Sequence, residues 1–201
     1  MKKIRIPGTS PGICFSLSLA LCASAEEVKS IAEFSRNDSK EPRWRIVDDG
    51  VMGGLSKGEM EIRDDGSLHF SGKLSLENNG GFSSVRSGNL KLDLSAAEGI
   101  VLRVKGDGRT YEVHFSTPAR WQGKGITFAA MLPTAKGQWR EVRIPFSAFK
   151  GDYRGKRLKD GDIRFNPANV QGITLELVDK KAGVFELEVD WIRTYGSSKS
   201  G

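Results

Sequence analysis

The most constraining feature of this chain is a strict alternation of apolar and acidic residues near its C-terminus. From Phe185 to Trp191 the apolar side chains occupy every second position, and Glu186, Glu188 and Asp190 lie between them. Successive side chains of a β-strand point to opposite faces, so this pattern predicts a strand with one buried and one solvated face. Similar alternation recurs in three earlier segments, residues 100–105, 111–115 and 173–177. The chain is therefore predicted to consist mainly of half-buried strands.

Turn sequences separate these strands at short intervals. Tight hairpins or other breaks are favoured at Asp65-Gly66, Asn79-Gly80-Gly81, Asp107-Gly108, Lys136-Gly137 and Ala182-Gly183. About nine or ten strands fit between Gly58 and Tyr195 at this spacing. The body has no long amphipathic helical pattern and no regular strand–helix alternation. The sequence thus predicts an all-β fold, an antiparallel β-sandwich of the jelly-roll type in a single domain.

A second feature, residues 44–58, has neither helical nor strand periodicity. It places Asp48, Asp49 and Met52 among glycines that permit positive φ angles or close backbone approach, namely Gly50, Gly53, Gly54 and Gly58. Aspartate side chains accept hydrogen bonds from nearby backbone N–H groups and hold compact turns together. The segment is predicted to be an ordered loop that either binds something or braces two layers of the fold.

This loop begins a series of motifs that resembles the complex I intermediate-associated protein 30 family. The family's opening motif also has a Trp followed by Asp-Asp, Met-Gly-Gly and Ser, as in Trp44 to Ser56 here. The resemblance continues through ordered blocks at residues 70–86, 102–111, 139–149, 154–155 and 172–189. Each block alone is only a turn-plus-strand pattern, so the specificity lies in their order over residues 40–195.

The resemblance implies a galactose-binding-like β-sandwich. Eukaryotic members of the family assist the assembly of respiratory complex I without belonging to the finished enzyme, so it also implies a non-catalytic, chaperone-like module that holds a protein partner. The residues that would shape or support the contact surface are Asp48, Asp49, Met52, Gly53, Gly54, Ser56, Gly80, Gly81 and Phe82.

The ends of the chain carry separate signals. Lys2, Lys3 and Arg5 precede an apolar run at residues 12–23, and Ala23-Ser-Ala25 matches a small-x-small cleavage site, so residues 1–25 are predicted to be a signal peptide. The apolar run is shorter than the roughly twenty residues that a membrane-spanning helix needs. Residues 26–43 are predicted to form a flexible arm with one short helix near residues 31–34. Residues 44–195 form the sandwich domain, and residues 196–201 a disordered tail.

Cleavage after Ala25 would remove three cations and no acids, so the formal charge would fall from +6 to +3. The remaining cations are interspersed with acids, which is typical of a solvated surface, and no nucleic acid partner is predicted. Both cysteines, Cys14 and Cys22, lie in the predicted leader. The mature domain would therefore have neither a disulfide nor a cysteine metal site. The leader predicts a periplasmic or secreted protein.

Sequence motifs for catalysis are weak. The only histidines, His69 and His114, occupy the outward positions of alternating strands, which predicts solvated surface side chains. Neither histidine can be tied from sequence to a serine and an acid, so no enzyme activity and no cofactor are predicted. Gly106-Asp107-Gly108 lacks the third glycine and the helix of a dinucleotide site, and is interpreted as a turn.

The carboxylates of three aspartates leave one kind of bound ligand possible, a metal ion. Asp48, Asp49 and Asp107 could supply hard oxygen ligands to a calcium ion held between loops. The competing interpretation is that they bond loop amides or pair with arginines at the rim of the sandwich, namely Arg86, Arg109 or Arg154.

Tryptophans suggest a second kind of ligand. Trp121 lies in a predicted loop and Trp44 precedes the glycine-rich loop, so either indole could stack on a sugar ring or anchor a protein partner. Packing at the end of the sandwich is the equally open alternative. Trp139 and Trp191 lie within strand patterns and are assigned to the core.

Two functions follow from these observations. The first is an interaction or assembly-factor domain whose protein partner belongs to a membrane-associated assembly, with membrane contact only through that partner. The second is a carbohydrate-binding module, which the sandwich type and the loop tryptophans suggest, although a fold alone does not determine function.

Overall fold

The computed structural model describes residues 28–34, 43–159 and 161–196, which form two antiparallel β-sheets packed face to face. Within these ranges there are thirteen strands: β1 (Ser30–Glu33), β2 (Arg45–Asp48), β3 (Lys57–Ile62), β4 (Leu68–Leu74), β5 (Ser83–Arg86), β6 (Gly99–Gly106), β7 (Thr110–Trp121), β8 (Lys124–Pro133), β9 (Trp139–Pro145), β10 (Lys150–Tyr153), β11 (Lys156–Arg157), β12 (Gly172–Leu177) and β13 (Gly183–Tyr195). Single 3-10 turns interrupt them at Asp49–Met52, Glu77–Asn79, Phe146–Ala148 and Pro167–Asn169. None of the described residues forms an α-helix, and none of their helices is long and apolar enough to cross a membrane.

The two sheets differ in size and strand order. The six-stranded sheet runs β3-β4-β13-β6-β9, with β1 paired to β13. The seven-stranded sheet runs β11-β10-β8-β7-β12-β5-β2. Neighbours in sequence are often not neighbours in space, as in β13, which pairs with β4 on one side and β6 on the other. These crossovers tie distant parts of the chain into one sandwich and confirm the predicted fold class.

The core lies between the inward faces of the two sheets. On β13 the residues Phe185, Leu187 and Val189 are buried, which confirms the predicted alternation as far as Val189. A register shift between Val189 and Trp191 ends it, and the next fully buried residue is Ile192. Tyr111 and Phe115 of β7 contribute from the opposite sheet. Phe115 also packs against an aromatic cluster near one end of the sandwich, composed of Phe146, Phe149 and Phe165. Because large apolar side chains dominate such cores, this interior supplies most of the stability of the fold.

The strand count exceeds the predicted nine or ten because several strands are too short to show alternation. Strands β1, β2, β5 and β10 have four residues each, and β11 has two. A strand of four residues places only two side chains on each face, so its periodicity cannot be distinguished from that of a loop. The additional strands lie mostly towards the margins of the sheets, and the layer arrangement is the one predicted.

The predicted helix near residues 31–34 is wrong. Ser30–Glu33 forms strand β1 against β13, and Ile31, Ala32 and Phe34 are buried in the core. A register shift between Ser30 and Ala32 accompanies two consecutive buried side chains, which hides the strand period in the sequence. This part of the segment 26–43 is therefore a packed strand and not a loose arm. The predicted signal peptide (1–25) and most of the predicted tail (197–201) lie outside the described residues.

The assignment of two tryptophans to the core also needs correction. Trp139 is exposed on the outer face of the six-stranded sheet, where Arg103 and Lys105 lie 5.4 and 5.3 Å from its ring centre. Trp191 is partly buried beneath Arg193, whose guanidinium is 4.4 Å from the ring centre. Long cationic side chains cover both rings, so a strand position that appears apolar can face outwards.

Candidate functional site

The glycine-rich loop is organised around the buried carboxylate of Asp49. One oxygen accepts the Ser56 backbone N–H at 2.9 Å, and the other accepts the Ser56 hydroxyl at 2.6 Å, the Gly81 N–H at 2.6 Å and the Phe82 N–H at 3.3 Å. Burial alone raises the pKa of Asp49, but these hydrogen bonds outweigh it and lower the pKa below its ordinary value. A single side chain thus fastens the loop to the turn at residues 77–82.

Asp48 makes a second brace beside the first. Its carboxylate accepts the Gly58 N–H at 2.9 Å and the Ser83 hydroxyl at 2.6 Å, joining β2 to β3 and β5. The loop aspartates therefore bond amides and hydroxyls, and the hydrogen bonds of neither involve Arg86 or Arg154. This geometry agrees with bracing, the structural interpretation of the motif.

The glycines of the motif leave room for these carboxylates. A Cβ atom added to Gly54 would overlap the Asp49 carboxyl group, and one added to Gly80 would lie 2.6 Å from Asp49 Oδ2. Gly53 ends the 3-10 turn in the left-handed region with φ of 88°. The repeated glycines are therefore required because the backbone closes tightly around Asp49.

Substitution of Gly54 by Ala is expected to lower the free energy of unfolding by about 2 kcal/mol, since the new methyl group would displace the Asp49 carboxylate. Gly50→Ala is the matched control, because a Cβ there meets nothing within 4 Å and its φ is not positive. Chemical denaturation of the two variants would measure the difference. Equal stability of Gly54→Ala and Gly50→Ala would contradict the tight packing around Asp49.

The outside of the same loop is apolar. Val51 and Met52 stand on the 3-10 turn with 77% and 66% of their surface exposed, and Leu55 and Leu76 are exposed beside them. Asn78 donates a hydrogen bond to the Gly53 carbonyl at 3.3 Å and so joins the two turns. The loop therefore directs its polar groups inwards and its large apolar side chains outwards.

Asp107 lies at the same end of the sandwich but forms hydrogen bonds with a different set of residues. Its carboxylate accepts the Arg109 N–H, the Tyr111 hydroxyl and the Glu186 N–H at 3.0, 3.2 and 3.1 Å. Arg109 in turn pairs with Asp179. Asp48, Asp49 and Asp107 thus engage separate partners, and within the described ranges no group of three or more His, Cys, Asp or Glu side chains is arranged to hold a metal ion.

The two candidate tryptophans lie away from this end. Trp44 precedes β2 and packs against Phe34, with ring centres 5.4 Å apart. Trp121 is the last residue of β7, at the opposite end of this strand from Thr110. Its ring packs against Tyr153, with ring centres 6.3 Å apart. Both rings are partly buried against the core. The structure therefore brings together the loop residues, the residues 80–82 and Asp107, but neither tryptophan.

A charged cluster on the outer face of the seven-stranded sheet was not predicted. Glu112 and Glu176 lie directly opposite each other on β7 and β12. His114 Nε2 is 3.0 Å from a Glu112 oxygen and 3.3 Å from a Glu176 oxygen, and Arg157 bridges Glu112 and Asp152 at 2.8 and 3.1 Å. His114 points away from the core as predicted, but it is only 7% exposed, so the prediction of a solvated side chain is wrong.

Burial and pairing act differently on the two glutamates. At Glu112, burial raises the pKa, but hydrogen bonding by His114 and the charge of Arg157 reverse the shift, and the net pKa is lowered. At Glu176, burial dominates and the pKa is raised. The alternating positions of Glu112 and His114 were visible in the sequence. Their pairing with Glu176 was not, because β7 and β12 are far apart along the chain.

Thr127 completes a hydroxyl–histidine–carboxylate arrangement, with its Oγ1 3.2 Å from His114 Nδ1. In such an arrangement the histidine can act as a base towards the hydroxyl. Thr127 lies within β8, which pairs with β7 on one side and β10 on the other, so the surrounding backbone N–H groups belong to the sheet. Thr127 is therefore part of the hydrogen-bonded cluster around His114.

Comparison with known families gives a match over residues 32–189 to the complex I intermediate-associated protein 30 family. The chain is similar to the probable complex I intermediate-associated protein 30, mitochondrial, of Caenorhabditis elegans, with 30% identity over 173 residues, 77% of this chain and 51% of that protein. It is 27% identical over 188 residues to the mitochondrial protein of the same name from Mus musculus, covering 85% and 57% of the two chains. The chain spans about half the length of these curated relatives.

Solved structures with the same fold include carbohydrate-binding modules. The family 11 module of the cellulase Lic26A-Cel5E from Clostridium thermocellum superimposes with a TM-score of 0.63 and 17% identity, covering 87% of this chain and 97% of that one. The same family's module in complex with a mixed-linked tetrasaccharide gives a TM-score of 0.60 at 16% identity, covering 85% and 96%. At this identity the likeness establishes the galactose-binding-like fold alone.

The relatives overturn one sequence prediction. They are named mitochondrial proteins, which contradicts the predicted periplasmic or secreted location. The prediction rested on cations, an apolar run and a lack of acids in residues 1–25. Mitochondrial leaders are also basic and poor in acids, so two of these features do not distinguish the two kinds of leader.

Proposed function

The chain belongs to the complex I intermediate-associated protein 30 family, and from this membership we propose that it is a non-catalytic assembly factor that binds a protein partner. The partner belongs to a membrane-associated assembly, by analogy with the complex after which the relatives are named. The observation that supports this proposal is the outer face of the seven-stranded sheet, which carries a network of paired charged side chains.

We call this surface the polar face and define it by its outward residues: Arg45, Val47, Ser84, Arg86, Glu112, His114, Ser116, Thr127, Ala129, Met131, Lys150, Asp152, Arg157, Thr174 and Glu176. It exposes Met131, at 58%, and the long side chains of Arg45 and Arg157. Arginine and methionine are enriched in protein interfaces, where arginine forms directional pairs with carboxylates.

The network below these side chains gives the polar face its specificity. Two carboxylates placed directly opposite each other on neighbouring strands repel, so Glu112 and Glu176 need His114 between them. A buried network of this kind adds little net stability compared with apolar packing. The network instead fixes the positions of the charged groups, and these groups select a partner of complementary charge.

The loop has a supporting role in the same proposal. Asp48, Asp49, Ser56, Gly54, Gly80 and Gly81 hold the end of the sandwich together through the contacts described above. Phe82 contributes its backbone N–H, and Asp107 fastens the start of β13. Trp44 and Trp121 pack against other rings, so they are assigned to the structure of the domain.

A carbohydrate ligand is the second candidate. The fold is shared with modules that bind sugars, and the polar face is rich in hydrogen-bonding groups. However, sugar rings are usually held by aromatic platforms, and the outward residues of the polar face include no Phe, Tyr or Trp. Protein binding is therefore the better supported function.

Introducing acidic side chains on the polar face tests the proposal. In an affinity pull-down from detergent-solubilised membranes, Arg45→Glu/Met131→Glu is expected to lose the partner proteins that the parent chain retains, by at least about tenfold. Val28→Glu/Arg140→Glu is the matched control, since it changes one exposed apolar and one exposed basic residue outside the polar face. Thermal melts verify that both variants fold.

Quantitative mass spectrometry of the bound proteins would decide the outcome. Equal retention of partner proteins by both double variants would exclude the polar face as their binding surface. Specific retention of glycans instead of proteins by the parent chain would favour the carbohydrate alternative.

A further inference from the structure

Exposed apolar side chains are concentrated at one end of the sandwich. Eight large hydrophobic residues are exposed in the described part of the chain, and five of them lie at the loop end: Val51, Met52, Leu55, Leu76 and Val184. Their exposed fractions range from 43% to 79%. We call these five residues the apolar end. Scattered exposed hydrophobics are normal on soluble proteins, but clustered ones indicate an interaction surface.

Lysines surround the apolar end. Lys57 and Lys73 face each other on β3 and β4, and Lys73 in turn lies opposite Val184 on β13. A Cβ atom placed on Gly81 would lie 3.0 Å from Leu76 Cδ2 and 3.6 Å from Lys180 Nζ, which places Lys180 beside Leu76. All three lysines are exposed. They follow the apolar side chains around the same end of the molecule.

The local charge is positive. Within the described ranges, none of Lys57, Lys73 and Lys180 is in ion-pair contact with a carboxylate. The acids of the loop, Asp48 and Asp49, are turned inwards and bonded as described. Glu77 is the exposed acid in the second turn. The exposed charges around the apolar end are thus four lysines, with Lys181 next to Lys180, and two acids, Glu77 and Glu59.

We infer that the apolar end binds an anionic lipid surface. The aliphatic side chains enter the boundary between headgroups and acyl chains, and the three lysines contact the lipid phosphates. This inference goes beyond the proposed function, because it gives the chain a direct membrane contact instead of one made only through its partner. It does not depend on the polar face and would survive the failure of that proposal.

The composition distinguishes a lipid from a protein partner. Protein interfaces are enriched in aromatic residues and arginine and depleted of lysine. The apolar end has no aromatic residue, and the cations around it are lysines, whereas the exposed cations of the polar face include the arginines Arg45 and Arg157. Lysine at the edge of an aliphatic patch suits a headgroup layer, where its flexible ammonium group can reach several phosphates.

The loop is also rigid enough to insert without being reordered. Asp49 fixes the 3-10 turn that carries Val51 and Met52, and Asn78 bonds this turn to the one that carries Leu76. A surface that is already in its binding conformation loses little conformational entropy on association. The buried hydrogen bonds of Asp49 therefore keep the apolar end in its binding conformation.

Vesicle co-sedimentation tests the inference with the purified full chain. The vesicles contain phosphatidylcholine alone or phosphatidylcholine with cardiolipin. Residues 1–25 also carry cations and an apolar run, so the decisive result is the difference between matched variants and not the binding of the parent. Val51→Ser/Met52→Ser is expected to weaken binding to the cardiolipin vesicles about tenfold relative to Val28→Ser/Met131→Ser, which alters the same two residue types at exposed positions elsewhere.

Charge reversal gives an independent measurement. Lys57→Glu/Lys73→Glu/Lys180→Glu is expected to weaken binding by about fivefold or more per lysine, whereas Lys91→Glu/Lys156→Glu/Lys159→Glu changes the net charge equally and has a smaller effect. Thermal melts confirm folding of all variants. Equal binding by the loop-end and control variants would overturn the inference. Loss of protein partners in detergent by Val51→Ser/Met52→Ser, without any change in vesicle binding, would identify the apolar end as a protein-docking surface instead.

Discussion

Replacement of Asp49 by Ala is expected to lower the free energy of unfolding by about 4 kcal/mol, a larger effect than any other substitution in the loop motif. The carboxylate is fully buried and accepts three backbone N–H groups and one hydroxyl, from Ser56, Gly81 and Phe82. Its removal leaves these donors without an acceptor in a site closed to water. For a chain of this length, the melting temperature would fall by about 8 to 16 °C.

Asp93 provides a matched control for this experiment. It accepts the backbone N–H and the hydroxyl of Ser95 at 2.9 and 2.6 Å, the same pair of groups that Asp49 accepts from Ser56. Asp93 is exposed, so water replaces the lost acceptor after Asp93→Ala. Differential scanning calorimetry should show a much smaller shift for Asp93→Ala. Similar shifts for both variants would mean that burial of Asp49 contributes nothing.

The pH dependence of stability provides a second measurement on the same group. The pKa of Asp49 is lowered in the folded protein, so its contribution to stability is complete above the ordinary value of 3.8. The contribution is lost as the pH falls through the lower pKa of the folded state. We expect the stability difference between the parent and Asp49→Ala to shrink in acid below pH 3.8 and to be constant near neutrality.

The prediction of the fold depended on the long strands. Alternation over Phe185 to Trp191 identified β13, and the turn at Asp65-Gly66 joins the paired strands β3 and β4. The turn at Asp107-Gly108 joins β6 to β7, which belong to different sheets, so the hairpin favoured there is wrong. Strand β1 could not be found because its register shift buries Ile31 and Ala32 consecutively. Local pattern therefore identified the layers, while tertiary pairing determined the short strands at their margins.

The site was predictable only where its residues are close in sequence. The compact loop around Asp49 was expected from its glycines and acids, although the sequence left bracing and binding open. The cluster of Glu112, His114 and Glu176 depends on the register between β7 and β12, which are about sixty residues apart, and no local pattern contains that information. The wrong assignment of Trp139 to the core has a related cause, since the cations that cover its ring come from a neighbouring strand.

Replacement of Arg109 by Ala is expected to lower the free energy of unfolding by about 3 kcal/mol. Arg109 pairs with Asp179 through two hydrogen bonds of 2.6 and 3.0 Å, and the two side chains are 12% and 10% exposed. The guanidinium also bonds the carbonyls of Lys181 and Val184. Burial raises the pKa of Asp179, but the hydrogen bond and charge of Arg109, with a smaller contribution from Lys181, outweigh this effect and lower the pKa. Loss of Arg109 removes most of this compensation and leaves the buried carboxylate without its cation. An unpaired buried charge is strongly destabilising.

Two controls separate the buried charge from the loss of an ordinary ion pair. Arg193→Ala removes an exposed pair in which two guanidinium nitrogens bond one Glu33 oxygen, together with the contact over the Trp191 ring, and a change of about 1 kcal/mol or less is expected by urea denaturation. Arg109→Ala/Asp179→Ala removes both charges, so it should be less destabilised than the sum of the two single variants. Strict additivity would show that Arg109 acts through the carbonyls of the turn and not through Asp179. Whether or not the effects are additive, Arg109→Ala/Asp179→Ala removes the hydrogen bonds that hold the turn carrying Lys180. This double variant should therefore also bind cardiolipin vesicles more weakly than Arg193→Ala does.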